Sequence, residues 1–359
     1  MGASSVELLK FDQLPVMENR TCLTELAARD VPTGSVHLVQ DLETGLIYNQ
    51  TWRNDQVVYD PRYQNEQAYS PTYRQHLHDV IRTIRNLGLG ETFAEIGCGR
   101  GYFLGELRKC GFSAVGLDQA YEGDDPQITK EHYRPGMSFN VDCVVLRHVL
   151  EHIDDPVSFL AAIAESNGRK GFVYIEAPCF EWVCSKRSWL SITHEYVNYF
   201  RISDFNEIFG EVVGSGHFFG GQYLFVVARL SSIRDPGFTE ARRATVPEDF
   251  TDDISWYLGE LDTPGRNVVW GASSKGVLFS VHMSSRGGLV DAIVDISPQK
   301  QGRFLPVTGL EVLDPSTLVD RLEDQDKVFV MNVNYLDEVV ERVGERCRFI
   351  AYPRAYSRC

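Results

Sequence analysis

Between the apolar run Thr92-Phe93-Ala94-Glu95-Ile96 and a helical pattern that reaches Cys110 lies Glu95-Ile96-Gly97-Cys98-Gly99-Arg100-Gly101. Three glycines in alternate positions leave a stretch of backbone with almost no Cβ atoms, so a ligand can approach the main chain closely. The N–H groups of the helix that follows can meet a carboxylate. Asp118 stands 21 residues after Gly97 at the tip of the next strand, with Gln119 beside it, where a carboxylate accepts hydrogen bonds from a ribose diol. An adenosine joined to a zwitterionic methionine needs these three features, which makes S-adenosylmethionine (SAM) the expected cofactor. Dinucleotide sites use similar glycines, so an NAD-dependent oxidoreductase is the alternative. The spacing E-x-G-x-G-x-G, in place of G-x-G-x-x-G, favours SAM. So does Leu146-Arg147-His148-Val149-Leu150-Glu151-His152 at the end of a later strand, which brings Leu146 and Arg147 to the cofactor.

SAM is an activated electrophile, so catalysis is mainly alignment, together with removal of any proton that the acceptor carries. Histidine is the natural base near neutral pH. His148 and His194 are the candidates, with Glu195 and Tyr196 as orienting groups. His152 is read as orienting its loop, His76 as a residue of a helix surface, and Cys98 as a small side chain in a crowded turn. A protein that binds SAM without turnover is a third reading.

The elements that hold these residues alternate in type. Leu77, Val80, Ile81 and Ile84 recur at helical spacing after Pro71, and Gly88 closes that helix. Strands are predicted at 92–96, 113–117, 141–146 and 172–176, and Asp155-Pro156 opens a helix between the last two. Two further strands, 211–215 and 222–230, are separated by a glycine-rich turn. The pattern predicts an α/β fold with a Rossmann-like parallel sheet ending in an antiparallel pair. Val36–Gln40 and Gly45–Tyr48 predict a small hairpin before it. A second strand, glycine turn and helix begins at Asn267, and a helix is expected over 249–261. Three domains are expected: a small N-terminal one (1–70), a SAM-binding one (71–232) and a C-terminal α/β domain (233–359), with a polar linker from Pro236 to Pro247.

Composition excludes some partners. The net charge of −15, without a basic stripe, argues against nucleic acid. No apolar run is long enough to span a bilayer. The eight cysteines form no CxxC pair, so no metal is expected and a reducing cytoplasm fits best. The expected partner is a small-molecule acceptor, which can be anionic, bound by a monomer or homodimer.

Glu95 to Gly101, Asp118, and His148 to His152 with Asp155-Pro156 resemble the class I SAM-dependent methyltransferases, for which a seven-stranded sheet with such a terminal pair is usual. Gly271-Ala272-x-x-Lys275-Gly276, Val294-Asp295-x-x-Pro298-x-Lys300-Gln301-Gly302 and Asn334-Tyr335-x-x-Glu338 are similar to the three-part bacterial enzymes that include deoxysugar C-methyltransferases of antibiotic pathways. The resemblance runs from about Val36 onward and implies methyl transfer to carbon, oxygen or nitrogen of a small molecule of secondary or nucleotide-sugar metabolism. It implies that the tyrosine-rich connector, with Tyr63, Tyr69 and Ser70, closes over SAM and the acceptor. It also implies that the last domain is a lid and substrate platform. Three departures stand out. The family's four zinc-binding cysteines are reduced to Cys22, with Asp41 and Gly45 where a C-x-x-C-G turn would be. Its tyrosine–x–glutamate–histidine run reads Thr193-His194-Glu195-Tyr196, and its His-Gly-Gly reads Phe219-Gly220-Gly221.

Overall fold

The computed structural model describes residues 5–60 and 62–354; Pro61 of the connector and Cys359 lie outside them. The chain begins with β1 (Ser5–Pro15), a short helix α1 (Glu25–Arg29), β2 (Thr33–Asp41) and β3 (Ile47–Asn49). The expected hairpin is β2 and β3, antiparallel, with Gln40 opposite Ile47. β1, which has no sharp alternation of polar and apolar residues, pairs with β2 through two irregularities.

The next segment holds α2 (Pro71–Asn86), β4 (Thr92–Ile96), α3 (Tyr102–Lys109), β5 (Ser113–Leu117), β6 (Ile128–Thr129), β7 (Cys143–Arg147), α4 (Pro156–Ser166) and β8 (Phe172–Pro178). It continues with α5 (Phe180–Ser185), β9 (Asn198–Tyr199), α6 (Ile202–Ile208), β10 (Val212–Phe218) and β11 (Tyr223–Arg229). Helix α2 starts where its sequence dictates. Pro71 occupies the first turn, where no N–H is needed, and the Ser70 hydroxyl accepts from the Tyr73 N–H at 3.2 Å. The seven-stranded sheet has the order β10-β11-β8-β7-β4-β5-β6. Its centre is parallel and its edge hairpin β10–β11 is antiparallel. Cys143, Val144, Val145 and Leu146 are fully buried, as a strand covered by helices on both faces requires. Burying each of the three aliphatic side chains among them stabilises the fold by about 1.5–3 kcal/mol.

Strand β9 leaves this segment to pair with β3, completing a four-stranded sheet of order β1-β2-β3-β9. The N-terminal sheet therefore borrows its last strand from beyond residue 70. Gln40, Arg201, Arg242 and Asp204 hold its turn in place. Gln40 Nε2 and Arg201 Nη2 both donate to the Gly45 carbonyl, and Asp204 Oδ1 takes both guanidinium groups at 2.7 Å. Among the described residues, no group of three or more His, Cys, Asp or Glu is placed to hold a metal ion, and no helix is long and apolar enough to cross a membrane.

The last third contains α7 (Asp253–Leu261), β12 (Asn267–Trp270), α8 (Ser274–Ser284), β13 (Ala292–Val294), β14 (Val312–Leu313), α9 (Ser316–Val319), β15 (Lys327–Val330), α10 (Leu336–Val343) and β16 (Arg348–Ala351). Its five strands are all parallel, in the order β14-β13-β12-β15-β16. Helix α7 starts four residues later than the apolar pattern suggests, because Asp249 to Asp252 form turns.

Candidate active site

The glycine turn connects β4 to α3, and all three glycines have positive φ, at 73°, 55° and 78° for Gly97, Gly99 and Gly101. A Cβ at Gly97 would stand 2.5 Å from Val149, and one at Gly101 would stand 2.4 Å from Ile128. At Gly99 a Cβ would meet nothing within 4 Å, so the turn presents bare backbone to open space there. Asp118 closes the far side: Oδ2 accepts from the Gly99 N–H and Oδ1 from the Ala120 N–H, each at 2.8 Å. Gln119 sits beside it, half-buried. Cys98 packs against Gly116 and burial drives its thiol pKa up, so it is no nucleophile.

Behind the turn lies a buried charge network. Glu176 of β8 is fully buried, and its Oε1 takes His76 Nε2 at 3.0 Å and Arg147 Nη2 at 3.1 Å. Its Oε2 accepts from Tyr174 at 3.0 Å. Burial alone would raise its pKa, but Arg147 and His76 outweigh it and hold the carboxyl well below its usual range. His76 is therefore a core residue and not part of a helix surface. Arg147 lies 4.6 Å over the Phe103 ring and 4.0 Å from Glu95. Burial pushes Glu95 up to about 8 against the pull of Arg147, and its Oε2 has no hydrogen-bond partner. Leu146 is sealed in the strand, so only its backbone could reach a ligand.

His148, just past β7, has φ of 54°, a left-handed conformation that strains a side chain other than glycine by about 1–2 kcal/mol. The bend sets its ring 4.5 Å from that of Tyr223, with Nδ1 3.4 Å from Glu151 and Nε2 3.2 Å from Glu176. Burial works against the imidazolium, yet the two carboxylates win and raise the pKa to about 9. The paired carboxylates favour the charged form of His148, which counts against its expected role as a base.

His148 lines a cavity of about 190 Å³ between the central and C-terminal sheets, together with His152, Tyr196, Trp270, Lys275 and Lys300. Its walls are joined by hydrogen bonds that explain the C-terminal motifs. Ser70 Oγ donates to Glu338, Tyr69 donates to Gln299 at 2.6 Å, Tyr335 donates to Gln67 at 2.9 Å, and Asn334 donates to the Phe219 carbonyl at 2.9 Å. The hydroxyls of Tyr69 and Ser70, expected to face the cofactor, are thus engaged with the C-terminal segment.

The segment 193–196 divides its side chains. Thr193 and Tyr196 line the cavity, whereas His194 points the other way, its ring packed on Gly34 of β2. His194 is buried, its Nδ1 has no partner, and it does not line the cavity. Glu195 lies behind the cavity and accepts from Tyr63 at 2.6 Å and Tyr59 at 3.4 Å. Tyr63 thus orients Glu195. The Tyr59 hydroxyl also lies 2.6 Å from His152 Nδ1. His152, read as a loop residue, faces the cavity; the signal was its place four residues after His148 in the segment that follows the strand.

Residues 66–212 match the model of a methyltransferase domain, and residues 243–350 match that of a C-methyltransferase C-terminal domain. No curated protein matches the chain in sequence. Among solved structures, a chain of the complex between the Haloferax volcanii Trm112 methyltransferase activator and a putative methyltransferase is similar with a TM-score of 0.39 and 16% identity, over 50% of this chain and 100% of that one. A Burkholderia thailandensis 1,6-didemethyltoxoflavin-N1-methyltransferase with bound S-adenosylhomocysteine gives 0.33 and 15%, over 44% and 78%. The RosA dimethyltransferase of Streptomyces davawensis gives 0.34 and 19%, over 44% and 54%. These likenesses are slight, and the domain matches carry the assignment. Residues 66–212 are a methyltransferase domain whose cofactor is S-adenosylmethionine. The last third of the chain carries the C-terminal domain of C-methyltransferases.

Proposed function

We propose that the protein methylates a carbon atom of a small molecule of secondary or nucleotide-sugar metabolism, held between the central and C-terminal sheets. The observation that carries this reading is the single cavity in which His148 and His152 of the central segment face Trp270 and Lys275 of the C-terminal one. The C-terminal domain match supports carbon as the receiving atom. Glu95, Gly97, Gly99, Gly101 and Asp118 hold the cofactor, which supplies the methyl group as a sulfonium. The residues fit it: a bare turn faces open space at Gly99, and a buried carboxyl oxygen of Glu95 lacks a partner.

His152 is the base in this reading. Its Nδ1 is fixed by Tyr59, which leaves the other ring nitrogen for the acceptor's proton. Glu195, behind Tyr59 and Tyr63, keeps that arrangement in register. His148, already cationic, stabilises negative charge developing on the acceptor.

The test is incubation with ¹³C-methyl SAM and an extract of small metabolites. The expected result is a product heavier by one labelled methyl, with an NMR shift of a carbon-bound methyl group, absent with Asp118→Ala. A methyl shift typical of oxygen or nitrogen would overturn the carbon assignment, and failure to bind SAM would overturn the reading entirely.

A further inference from the structure

Strand β1 ends at Pro15, and the chain that follows reaches the cavity, where Asn19 forms part of the wall. Glu18, next to it, is fully buried, and neither of its carboxyl oxygens has a hydrogen-bond partner. Other buried carboxylates have cations against them. Glu176 meets Arg147 and His76, Asp204 meets Arg201 and Arg242, and Glu151 has His148 Nδ1 at 3.4 Å. Glu18 has no such ion pair among the described residues; its neighbours are the Glu195 carboxyl and the Thr193 hydroxyl.

Glu195 has the complementary gap. Its Oε1 accepts from Tyr63 at 2.6 Å and from Tyr59 at 3.4 Å, whereas its buried Oε2 has no donor. Two carboxyl groups side by side and away from water do not both stay ionised, and one proton between them satisfies an oxygen on each. Burial, and after it the Glu195 carboxylate, drive Glu18 well above the usual carboxyl range. Tyr59 carries the effect to the cavity. Burial and the Glu195, Glu151 and Glu18 carboxylates hold its hydroxyl protonated, and that hydroxyl lies 2.6 Å from His152 Nδ1 with one proton to give. Given to Glu195, the proton leaves the Tyr59 oxygen to accept from Nδ1–H, and Nε2 stays free. Given to Nδ1, it forces the proton of a neutral ring onto Nε2.

We propose that Glu18 is a positioning residue: its carboxyl proton is donated to Glu195 Oε2, which keeps Glu195 Oε1 an acceptor for Tyr59 and so fixes His152 in the Nδ1–H tautomer. The inference rests on the function proposed above and adds to its base a residue from the N-terminal segment. A ring free of such contacts populates both tautomers, and only the Nδ1–H form presents a bare Nε2 to an acceptor's proton. Removing the donor from Glu18 leaves Oε2 buried without a partner, an arrangement relieved when Glu195 takes the proton itself and Tyr59 turns to Nδ1. Glutamine at position 18 keeps a donor of similar reach and carries no ionisable proton. A protonated glutamic acid is therefore replaceable by glutamine, and a charged one is not.

The test is ¹⁵N NMR of histidine-labelled protein saturated with S-adenosylhomocysteine, at a pH where the ring is neutral, with the His152 signals assigned by their loss in His152→Gln. The wild type should show the Nδ1–H tautomer. Glu18→Gln should keep it, and Glu18→Met and Tyr59→Phe should each lose it. In the infrared, the C=O band of protonated carboxyl groups should fall by one group in Glu18→Gln and by none in Glu43→Gln, which alters an exposed residue. An unchanged band in Glu18→Gln overturns the inference, and this holds even if Glu18→Met does not fold. So does a wild type with its proton on Nε2, a tautomer kept in Glu18→Met, or one that Glu18→Gln disturbs as much as Glu18→Met. S-adenosylhomocysteine affinity in the same samples separates the two readings: retained affinity with any of these outcomes leaves methyl transfer standing, and absent affinity in the wild type sinks that reading and this inference with it.

Discussion

Asp118 Oδ2 accepts a hydrogen bond from the Gly99 N–H at 2.8 Å, so the carboxylate at the tip of β5 is tied to the bare backbone of the turn after β4. The two parts of the proposed cofactor site are thus tied to each other. Burial raises the pKa of this carboxyl, and the Ala120 and Gly99 N–H groups oppose the rise. Asp118→Ala removes both the proposed ribose acceptor and the tie. Hydrogen bonds to a charged group contribute about 1.5–3 kcal/mol each, so SAM affinity should fall by tenfold or more in calorimetry. Affinity within twofold of wild type would refute the assignment.

The glycines allow a sharper separation of stability from binding. Gly99 and Gly88 both have positive φ, at 55° and 64°, and a Cβ at either meets nothing within 4 Å. Alanine at each should cost about 1–2 kcal/mol through backbone strain. Only Gly99→Ala projects a methyl group into the cofactor's path, so it alone should lose SAM affinity. Equal affinities in the two variants would mean that the space at Gly99 is not where the cofactor lies.

His148 makes stability depend on pH. Its folded pKa, about 9, exceeds the unfolded value near 6.5, so its contribution is complete below 6.5 and is lost as pH rises through 9. At about 1.4 kcal/mol per tenfold change in proton affinity, the gap amounts to about 3 kcal/mol. Glu95 and Lys275 titrate in the same range, so the quantity to follow is the difference between wild type and His148→Gln. Denaturant midpoints of the two proteins should converge between pH 6.5 and 9.5. A difference that stays constant with pH would show that His148 carries no such charge.

His152 and His194 should separate cleanly in kinetics. His152→Gln should lower kcat by 10²–10⁴ with SAM affinity kept, since it removes a base from the cavity wall. His194→Gln should leave kcat near wild type and lower the melting temperature, because that ring packs on Gly34. The reverse pattern would return His194 to the active site.

What could be read from the chain was whatever depends on neighbours in sequence. The turn from Glu95 to Gly101, the strand ending at Asp118, the start of α2 at Pro71 and the alternation of strands and helices all follow from residue spacing and capping chemistry, which act over a few residues; the short β6 left no such pattern. His76 carried a partial signal of the same kind, standing four positions before the buried Val80 in α2.

Partners far apart in sequence were decided by packing. His76 meets Glu176 across 100 residues, and Glu195 meets Tyr63 across 132. Ser70 and Glu338 join across 268. A histidine's role follows from its burial and from the carboxylates around it, and both exist only once the sheets have stacked. That is why His148 came to sit between Glu151 and Glu176, His152 on the cavity wall and His194 against Gly34.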